Sequence, residues 1–445
     1  MSDAALLPKG AGYASVTAAV SDPLLEQRAG RGWWIAFAIG CAGTLLMGGS
    51  IFWLLFQGIG IFGNNSTVVW GFPIANYVWW IGIGNAGTLI SCMLLLTRQR
   101  WRSSINRFAE AMTLIAASIA GLFPILHLGR PIYFYWVAPY PNTMGAWPQW
   151  KSPLVWDFFA ILSYLVFSLL FWFVGALPDF ATLRDRARTR RAQVFYGVLA
   201  LGWRGSARHW ARYESFYRIM AALGVPLVVS VHSVVGMDFA ASTMPGWSES
   251  IFPPYFVVGA MFSGFAMVLV LAAAVRAFLR VEGLVTLDHF DAMAKILLAG
   301  SLVMGLSYAT ESFQALVAGS EADRTLVAFE FTGAYAWLYW TQLVCNVALP
   351  QLLWFPAMRR SIPALIAIGL LVNVGMYLER ILLIINTLSR PPLSSTWQLY
   401  APTLWDGLLL AGSIGFFVFL FCLFLRLMPA VSMHEVRQLV PEGER

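Results

Sequence analysis

Histidine and aspartate residues interrupt three consecutive apolar runs of this sequence, at His127, Asp157, His232 and Asp238. At a rise of about 1.5 Å per residue, three of them lie near one end of their runs, and His232 lies roughly 9 Å deeper than Asp238. Ionisable groups inside long apolar segments are costly, so each is a functional candidate. A histidine can accept a hydroxyl proton while a carboxylate orients it or accepts another. The pattern predicts a proton-accepting site at one end of a helix bundle.

Each of these residues also has a purely structural interpretation. His127 would cap a helix end, Asp157 would be favoured by the dipole of a first helical turn, and His232 would hydrogen-bond to a neighbouring helix. Asp238 lies at a helix C-terminus, where the dipole opposes a negative charge, so it needs another reason to be there. A b-type haem between His127 and His232 is a competing use, made awkward by their different depths. Oxidation of a quinol in an apolar cleft, which releases two protons and two electrons, would use the whole set.

Polar residues elsewhere form a candidate proton path. Asn85, Asn346 and Asn373 lie deep in apolar runs, and Glu379 and Lys295 lie nearer to run ends. Together they would relay protons. Taken singly, the asparagines would be ordinary interhelical hydrogen-bonding groups and Lys295 an interface charge.

Composition indicates a membrane protein. The chain is 59% hydrophobic and 11% charged, whereas about 25% of the residues of a soluble domain are charged. A membrane-spanning helix needs about 20 apolar residues. Ten runs of this kind predict ten spans, at 33–56, 70–96, 109–128, 154–177, 216–239, 252–279, 291–313, 332–356, 362–386 and 403–427.

The basic residues indicate the orientation of these spans. Arg98, Arg100, Arg102 and Arg107 follow the second run, and eight arginines fall in the segment after the fourth run. All but five of the 29 basic residues fall on one side, the exceptions being Arg130, Lys151, Arg324, Arg380 and Arg390. Because basic residues stay on the cytoplasmic side, both termini are expected to be cytoplasmic. The net charge of +7 then reflects orientation rather than binding to nucleic acid.

The four cysteines argue against metal and disulfide chemistry in this chain. Cys41, Cys92, Cys345 and Cys422 all fall inside apolar runs, and none belongs to a CxxC pair. A zinc site, an iron–sulfur cluster and a disulfide framework are therefore not expected, and no metal site is predicted. The cysteines are interpreted as small buried side chains.

An internal repeat predicts the architecture. The segment 77–87 resembles 255–265, and Met112 then aligns with Met293, at offsets of 178 and 181 residues. Four spans separate the copies, so both have the same orientation. We predict an all-α polytopic membrane protein in which spans 2–5 and spans 6–9 form two parallel four-helix bundles flanked by spans 1 and 10. The expected units are a tail at 1–32, the first span and its loop at 33–68, bundles at 69–250 and 251–402, and the last span with a tail at 403–445.

Several motifs resemble a known family. The segment PILHLGRPIYFY at 124–135, Trp156-Asp157 and the stretch 231–256 are similar to NrfD-like, polysulfide-reductase-type membrane subunits, and most of all to the C subunit of bacterial alternative complex III. The likeness extends over spans 2–9. It implies a quinol pocket near the periplasmic face with His127, Asp157 and Asp238 as the catalytic groups. The implied quinol-binding set adds His232, Tyr133 and Arg380, the last within the sequence Tyr377-Leu378-Glu379-Arg380.

The resemblance also implies cofactors and partners. The chain would bind quinol, for example menaquinol, as its substrate and hold no covalent redox group. Iron–sulfur clusters and c-type haems would belong to a periplasmic iron–sulfur subunit and to cytochrome subunits. A second NrfD-like membrane subunit, a terminal oxidase and lipid complete the expected partners in a bacterial inner membrane. Three alternatives stay open: a structural anchor, a proton-conducting paralogue in the same type of complex, and a secondary transporter, which would show broken helices and charges at midplane.

Overall fold

The computed structural model describes residues 6–7, 10–138 and 149–441, and this part of the chain is helical with no strand. Nine of its helices are long and apolar enough to cross a membrane. The prediction of an all-α polytopic membrane protein is confirmed. The α-helices are α1 Tyr13–Leu25, α2 Arg31–Gln57, α3 Phe72–Leu96, α4 Asn106–His127, α5 Pro153–Arg186, α6 Arg190–Leu199, α7 Ala207–Ala240, α8 Phe252–Leu279, α9 Leu287–Val317, α10 Glu321–Thr332, α11 Ala336–Leu343, α12 Pro356–Arg359, α13 Ile362–Ile381, α14 Leu404–Leu427 and α15 Met433–Arg437.

The predicted eighth span, 332–356, differs from the other nine in form. Here α11 passes into a π-helical turn, Val344–Ala348, and then into a 3-10 turn, Leu349–Trp354, which contains Pro350. Proline lacks an N–H group and cannot continue an α-helical ladder, so the segment is a broken helix. A second π-helical turn, Leu382–Asn386, extends α13. Both breaks lie beside polar side chains described below, as π-turns often do.

Two four-helix groups form the body of the protein. Helices α3, α4, α5 and α7 pack together as the first bundle, and α8, α9, α13 and the broken segment 336–354 pack together as the second. Helix α3 lies against α8 and joins the two bundles. A Cβ atom on Gly264 of α8 would lie only 1.7 Å from the Cβ of Ala86, so this contact requires glycine. The exact limits of the predicted units stay a prediction.

Helices α2 and α14 form a separate pair outside the bundles. A Cβ atom on Gly43 would lie 2.5 Å from the Cα of Gly415, so small residues allow the two backbones to meet. Much of α2 faces outward, with large apolar side chains such as Ile35, Leu45 and Phe56 exposed, as expected for a helix in contact with lipid.

Arg102 and Arg107, two of the arginines that follow the second predicted span, are buried. Arg107 lies in the first turn of α4 with no exposed surface, and Arg102 is 8% exposed. Arg107 pairs with Glu110 at 3.2 Å and Asp179 at 3.7 Å, and Arg102 pairs with Glu435 at 2.9 Å. Their ion-pair partners Asp179 and Glu435 come to them from distant parts of the sequence.

Candidate functional site

Three polar side chains from the first bundle meet at the end opposite to the arginine-rich face. Asp157 lies in the first turns of α5, Tyr77 in α3 and Asp238 near the end of α7. The hydroxyl of Tyr77 donates a hydrogen bond to Oδ2 of Asp157. Asp238 lies within hydrogen-bonding reach of Asp157. Tyr77 and Asp157 are only 5% and 7% exposed, so the cluster is shielded from water.

Each of the two carboxyl groups in this cluster has an oxygen atom that accepts no hydrogen bond from the described residues. Oδ1 of Asp157 and Oδ1 of Asp238 are buried, and no N–H or O–H group of the described residues donates to either. Carboxylate oxygens only accept hydrogen bonds, so two of them in contact require a shared proton or a hydroxyl donor from outside the protein. The described residues also place no cation beside this pair. The arrangement is suited to a ligand that brings hydroxyl groups and gives up protons.

His127 and Tyr133 lie on one short stretch at the same end of the bundle. His127 is the last residue of α4, and its Nδ1 is buried without a hydrogen-bond partner in the described part of the chain. The chain turns at Gly129, which has a φ of +69° and packs against Ile59. Tyr133 follows in a 3-10 turn, is 38% exposed and has its ring beside Tyr135. The hydrogen-bonding neighbours that the described residues give Asp157 are Tyr77 and Asp238, and His127 is not among them.

His232 has a different environment from the outer cluster. It is 2% exposed, and its Nδ1 contacts the side-chain amide of Asn85, which also donates to the carbonyl of Val228 at 3.3 Å. The structure therefore brings two predicted residues together, Asn85 from the proton path and His232 from the quinol set. Their contact joins two helices, as expected if His232 serves as an interhelical hydrogen-bonding group.

Arg380 and Glu379 begin a line of polar contacts in the second bundle. Arg380 pairs with Glu379 at 2.9 Å, and its guanidinium lies 4.3 Å from the ring centre of Phe256. The hydroxyl of Tyr308 donates to Glu379 at 2.7 Å, and Nδ2 of Asn346 donates to that hydroxyl at 2.9 Å. Beyond Asn346 the line continues through its backbone carbonyl, which accepts from Ser301 at 2.7 Å, and through Gln351, which donates to Ser301 at 3.2 Å.

The remaining two residues of the predicted proton path lie apart from this line. Nδ2 of Asn373 donates to the carbonyl of Gly369 in its own helix at 2.9 Å, and Trp79 donates to the backbone carbonyl of Asn373 at 3.1 Å. Lys295 has a side chain that is 59% exposed and pairs with Asp291 at 2.6 Å. Among the five predicted residues, only Asn346 and Glu379 are connected, through Tyr308.

An acidic cavity of about 50 Å³ lies beside Glu379 and Tyr308. Its walls include Glu249, Glu311 and Glu330, of which Glu330 accepts a hydrogen bond from Asn386 at 3.1 Å. Burial raises the pKa of Glu330 to about 7. Burial, and then the nearby Asp323, also raise the pKa of Glu249. At neutral pH Glu330 is therefore present in both its protonated and its ionised form.

Sequence reasoning missed several of these groups. Tyr77 gave no signal, because a tyrosine in an apolar run is ordinary, and Glu249 and Glu330 lie outside the predicted spans. Glu110 is different: it lies inside the predicted third span and met the same criterion that selected Asp157. In the structure Glu110 is 1% exposed and accepts a hydrogen bond from Tyr217 at 3.3 Å as well as the contact from Arg107.

Comparison with known proteins identifies the family. The family model described as "Polysulphide reductase, NrfD" matches residues 60–392, well over half of the chain. The chain belongs to the NrfD polysulphide reductase family. The resemblance inferred from the sequence motifs is confirmed at the level of the family, and the nearer likeness to alternative complex III stays a prediction.

Two curated relatives match about half of the chain. The C-type membrane subunit of a putative dimethyl sulfoxide reductase from Halobacterium salinarum is 28% identical over 247 residues, which is 55% of this chain and 51% of the relative. The C-type subunit of the selenate reductase from Mesobacillus selenatarsenatis is 25% identical over 235 residues, which is 50% of this chain and 52% of the relative. This NrfD-family chain thus spans about half the length of the curated relatives it matches.

The NrfD match covers both bundles and every predicted site residue. It begins before α3 and ends after α13, so it includes Asp157, Asp238, Glu379 and the acidic cavity. Helices α2, α14 and α15 lie outside it. The polar groups described above therefore belong to the part of the chain that defines its NrfD membership.

Proposed function

We propose that this chain is the quinol-oxidising membrane subunit of a respiratory oxidoreductase complex. The observation that carries the proposal is the pair Asp157 and Asp238, whose Oδ1 atoms are buried, accept no hydrogen bond from the described residues and have no cation beside them. A quinol hydroxyl is a neutral donor that releases a proton when the ring is oxidised. The pair is therefore chemically matched to a quinol.

The residues of the site have distinct roles in this proposal. One quinol hydroxyl donates to the Asp157–Asp238 pair, which accepts its proton, while Tyr77 holds the other oxygen of Asp157 in place. Nδ1 of His127 accepts the second proton, since it has no partner in the described residues. The quinol would lose two protons to these groups and two electrons, one at a time, to iron–sulfur clusters of a partner subunit, and would leave as quinone. In this arrangement the quinol ring would lie between His127 and the Asp157–Asp238 pair.

The relatives support a role within a larger assembly. Both carry names of reductase subunits, and a reductase needs a source of electrons that quinol oxidation supplies. The exposed side chains of Ile132, Phe134 and Tyr135 lie on the loop that follows His127. We propose that this loop faces the periplasm and docks the iron–sulfur subunit. Further members of an alternative complex III-like assembly would be c-type cytochromes, a second NrfD-like protein and a terminal oxidase.

The second bundle supports a proton route as part of the same proposal. Protons would pass from the region of His232 and Asn85 to Arg380 and Glu379, and from there to the acidic cavity. The support is the line of hydrogen bonds through Tyr308 and Asn346, and the pKa of Glu330, which lies near neutral pH. Asn373 and Lys295 would lie beside this route rather than in it, since the described contacts do not connect either residue to the hydrogen bonds between Glu379, Tyr308 and Asn346.

The test is the substitution Asp157→Asn in the purified complex. We expect quinol-dependent reduction of the partner haems to fall by at least about 100-fold, the usual size of a lost proton acceptor. The control is Asp406→Asn, which alters a carboxylate that is also buried but accepts hydrogen bonds from Gly63 at 3.0 Å and Thr403 at 2.8 Å.

Normal rates in an intact Asp157→Asn complex would move quinol oxidation to another subunit. The chain would then be an anchor or a proton-conducting paralogue. An equal loss in Asp406→Asn would show that any buried carboxylate matters for assembly, which would remove the support for a site at Asp157.

A further inference from the structure

A polar pocket of about 160 Å³ lies at the arginine-rich face, remote from the proposed quinol site. The end of α5, the turn between α6 and α7, and α15 form its walls. Its lining includes three arginines from these three elements, Arg184, Arg204 and Arg437. Such a convergence distinguishes the pocket from the scattered arginines that orient the chain.

The positive charge in this pocket is only partly balanced. Asp185 pairs with Arg184 at 2.8 Å, whereas Arg437 donates to the neutral hydroxyl of Thr17 at 3.0 Å. Arg204 is exposed and makes no ion pair with the residues that the structure describes. Burial lowers the pKa of His434 to about 4 against the opposing effect of Glu435, so its imidazole is neutral at pH 7 and adds no charge to the pocket. The pocket therefore carries a net positive charge.

The pocket also presents hydrogen-bond donors with no acceptor. The indole nitrogens of Trp210 and Trp203 both lie near Gly205, 3.8 and 4.0 Å from the position of a Cβ atom there. Neither indole N–H donates to any group within the described ranges. The ring of Trp210 stacks on His434 at 4.1 Å, which holds it in place. Guanidinium and indole donors around one space favour an anion with several acceptor oxygens, such as a phosphate group.

The surroundings place this pocket at the level of lipid headgroups. Helix α6 borders it, since a Cβ atom on Gly197 would lie 3.6 Å from the side chain of Arg184. Beside the pocket, α6 and the turn after it expose Val194, Val198 and Leu201, which are 49%, 67% and 70% exposed. A short helix with an apolar outer surface and basic residues at its start lies along a membrane surface. Tryptophan is enriched at the same depth.

We propose that this pocket binds the phosphate group of an anionic phospholipid in the leaflet on the arginine-rich face. The guanidinium groups and the two indole N–H groups contact the phosphate oxygens, and the exposed apolar residues of α6 contact the acyl chains. Free inorganic phosphate offers the same oxygen acceptors but has no acyl chains to contact the apolar residues of α6. The lipid is therefore the better ligand, and its binding is independent of quinol oxidation.

The test is lipid binding by native mass spectrometry of the purified protein, titrated with phosphatidylglycerol, phosphatidylcholine or inorganic phosphate. The variant is Arg204→Gln, and the matched control is Arg208→Gln, an exposed arginine on α7 outside the pocket lining. We expect one tight phosphatidylglycerol per chain, bound about five-fold more weakly by Arg204→Gln, as follows from the usual contribution of one arginine near an anionic surface. Arg208→Gln and the parent should bind it equally.

Three outcomes would overturn this assignment. Equal losses in both variants would indicate a general charge effect, and an unchanged affinity in Arg204→Gln would show that the pocket is not the site. Binding of inorganic phosphate as tight as that of phosphatidylglycerol would show that the ligand is a soluble anion. A supporting variant, Arg204→Lys, should keep at least half of the affinity, because it retains the charge but loses the planar fork. Quinol oxidation should be unchanged in all of these variants.

Discussion

The two ends of the first bundle both bury carboxyl groups, but in opposite chemical settings. At the arginine-rich end, Glu110 and Asp179 lie around the guanidinium of Arg107, and Glu435 pairs with Arg102. At the other end, Asp157 and Asp238 lie together with a tyrosine and without a cation among their described contacts. A guanidinium balances the charge of a buried carboxylate beside it. Two adjacent carboxylates repel each other unless a proton or a ligand lies between them. In our proposal, the charges at the first end stabilise the fold and those at the second end bind a substrate.

The variant Arg107→Met tests whether the charges at the arginine-rich end stabilise the fold. This change leaves Glu110 and Asp179 buried without their cation, and we expect a loss of about 3–5 kcal/mol in the free energy of unfolding, because an uncompensated buried charge is costly. Thermal and denaturant unfolding of the purified protein measures it. The control is Arg212→Met, which removes an exposed arginine near the same face. Equal stability of the two variants would contradict a structural role for the Arg107 network.

For Asp238→Asn we expect a loss of activity without a loss of stability. Quinol oxidation should fall by about 100-fold or more, since the carboxyl pair loses a proton acceptor. The unfolding free energy should stay within about 1 kcal/mol of the parent, because no described donor depends on Asp238 Oδ1. Rates and unfolding curves are measured on the same preparation. Glu214→Gln, on the exposed other end of α7, serves as the control. A large loss of stability with normal turnover would reverse the assignment of the two ends.

A smaller effect is expected for Tyr77→Phe. Removing the hydroxyl leaves Asp157 Oδ2 without its donor, and a hydrogen bond to a charged group contributes about 1.5–3 kcal/mol, so turnover should fall roughly ten-fold or more. The matched control is Tyr164→Phe, whose hydroxyl donates to the carbonyl of Gly84 at 2.8 Å deeper in the same bundle. If both variants lose activity equally, packing rather than the contact with Asp157 explains the loss.

The smallest effect concerns the acidic cavity of the second bundle and its pH dependence. The pKa of Glu330 is raised by burial from 4.5 to about 7, so the folded protein retains a proton that the unfolded chain has already released. The contribution of this carboxyl to stability is full below about pH 4.5 and is lost as the pH rises through about 7. Glu330→Gln should therefore be relatively more stable than the parent at pH 8 and similar at pH 4.5.

Unfolding temperatures measured between pH 4.5 and 8 test this prediction. Glu321→Gln, an exposed acid at the start of the same helix, is the control. A parallel pH dependence in the parent and in Glu330→Gln would exclude Glu330 as a group that releases its proton near neutral pH.

Much of the candidate site was accessible from the sequence for a simple physical reason. Carboxylates and histidines inside apolar runs are rare, so Asp157, Asp238 and His232 stood out without any structure. The same criterion would have selected Glu110. The burial of Arg107 could not be predicted, because an arginine at the end of an apolar run has the same appearance whether it faces water or a buried acid. Its partner Asp179 also lies far from it in the sequence.

The sequence alone determined that the chain is helical and crosses a membrane many times, because segment length and hydropathy are local properties. It also determined which ionisable groups lie near which end of each helix, because depth follows from the fixed rise per residue. Only the tertiary structure decided which of those groups meet. Contact depends on helix rotation and packing, which place Tyr77 against Asp157, Asn85 against His232 and Tyr308 between Asn346 and Glu379. Local patterns do not specify these rotations, because helices in a bundle are rotated by the shapes of all their neighbours together.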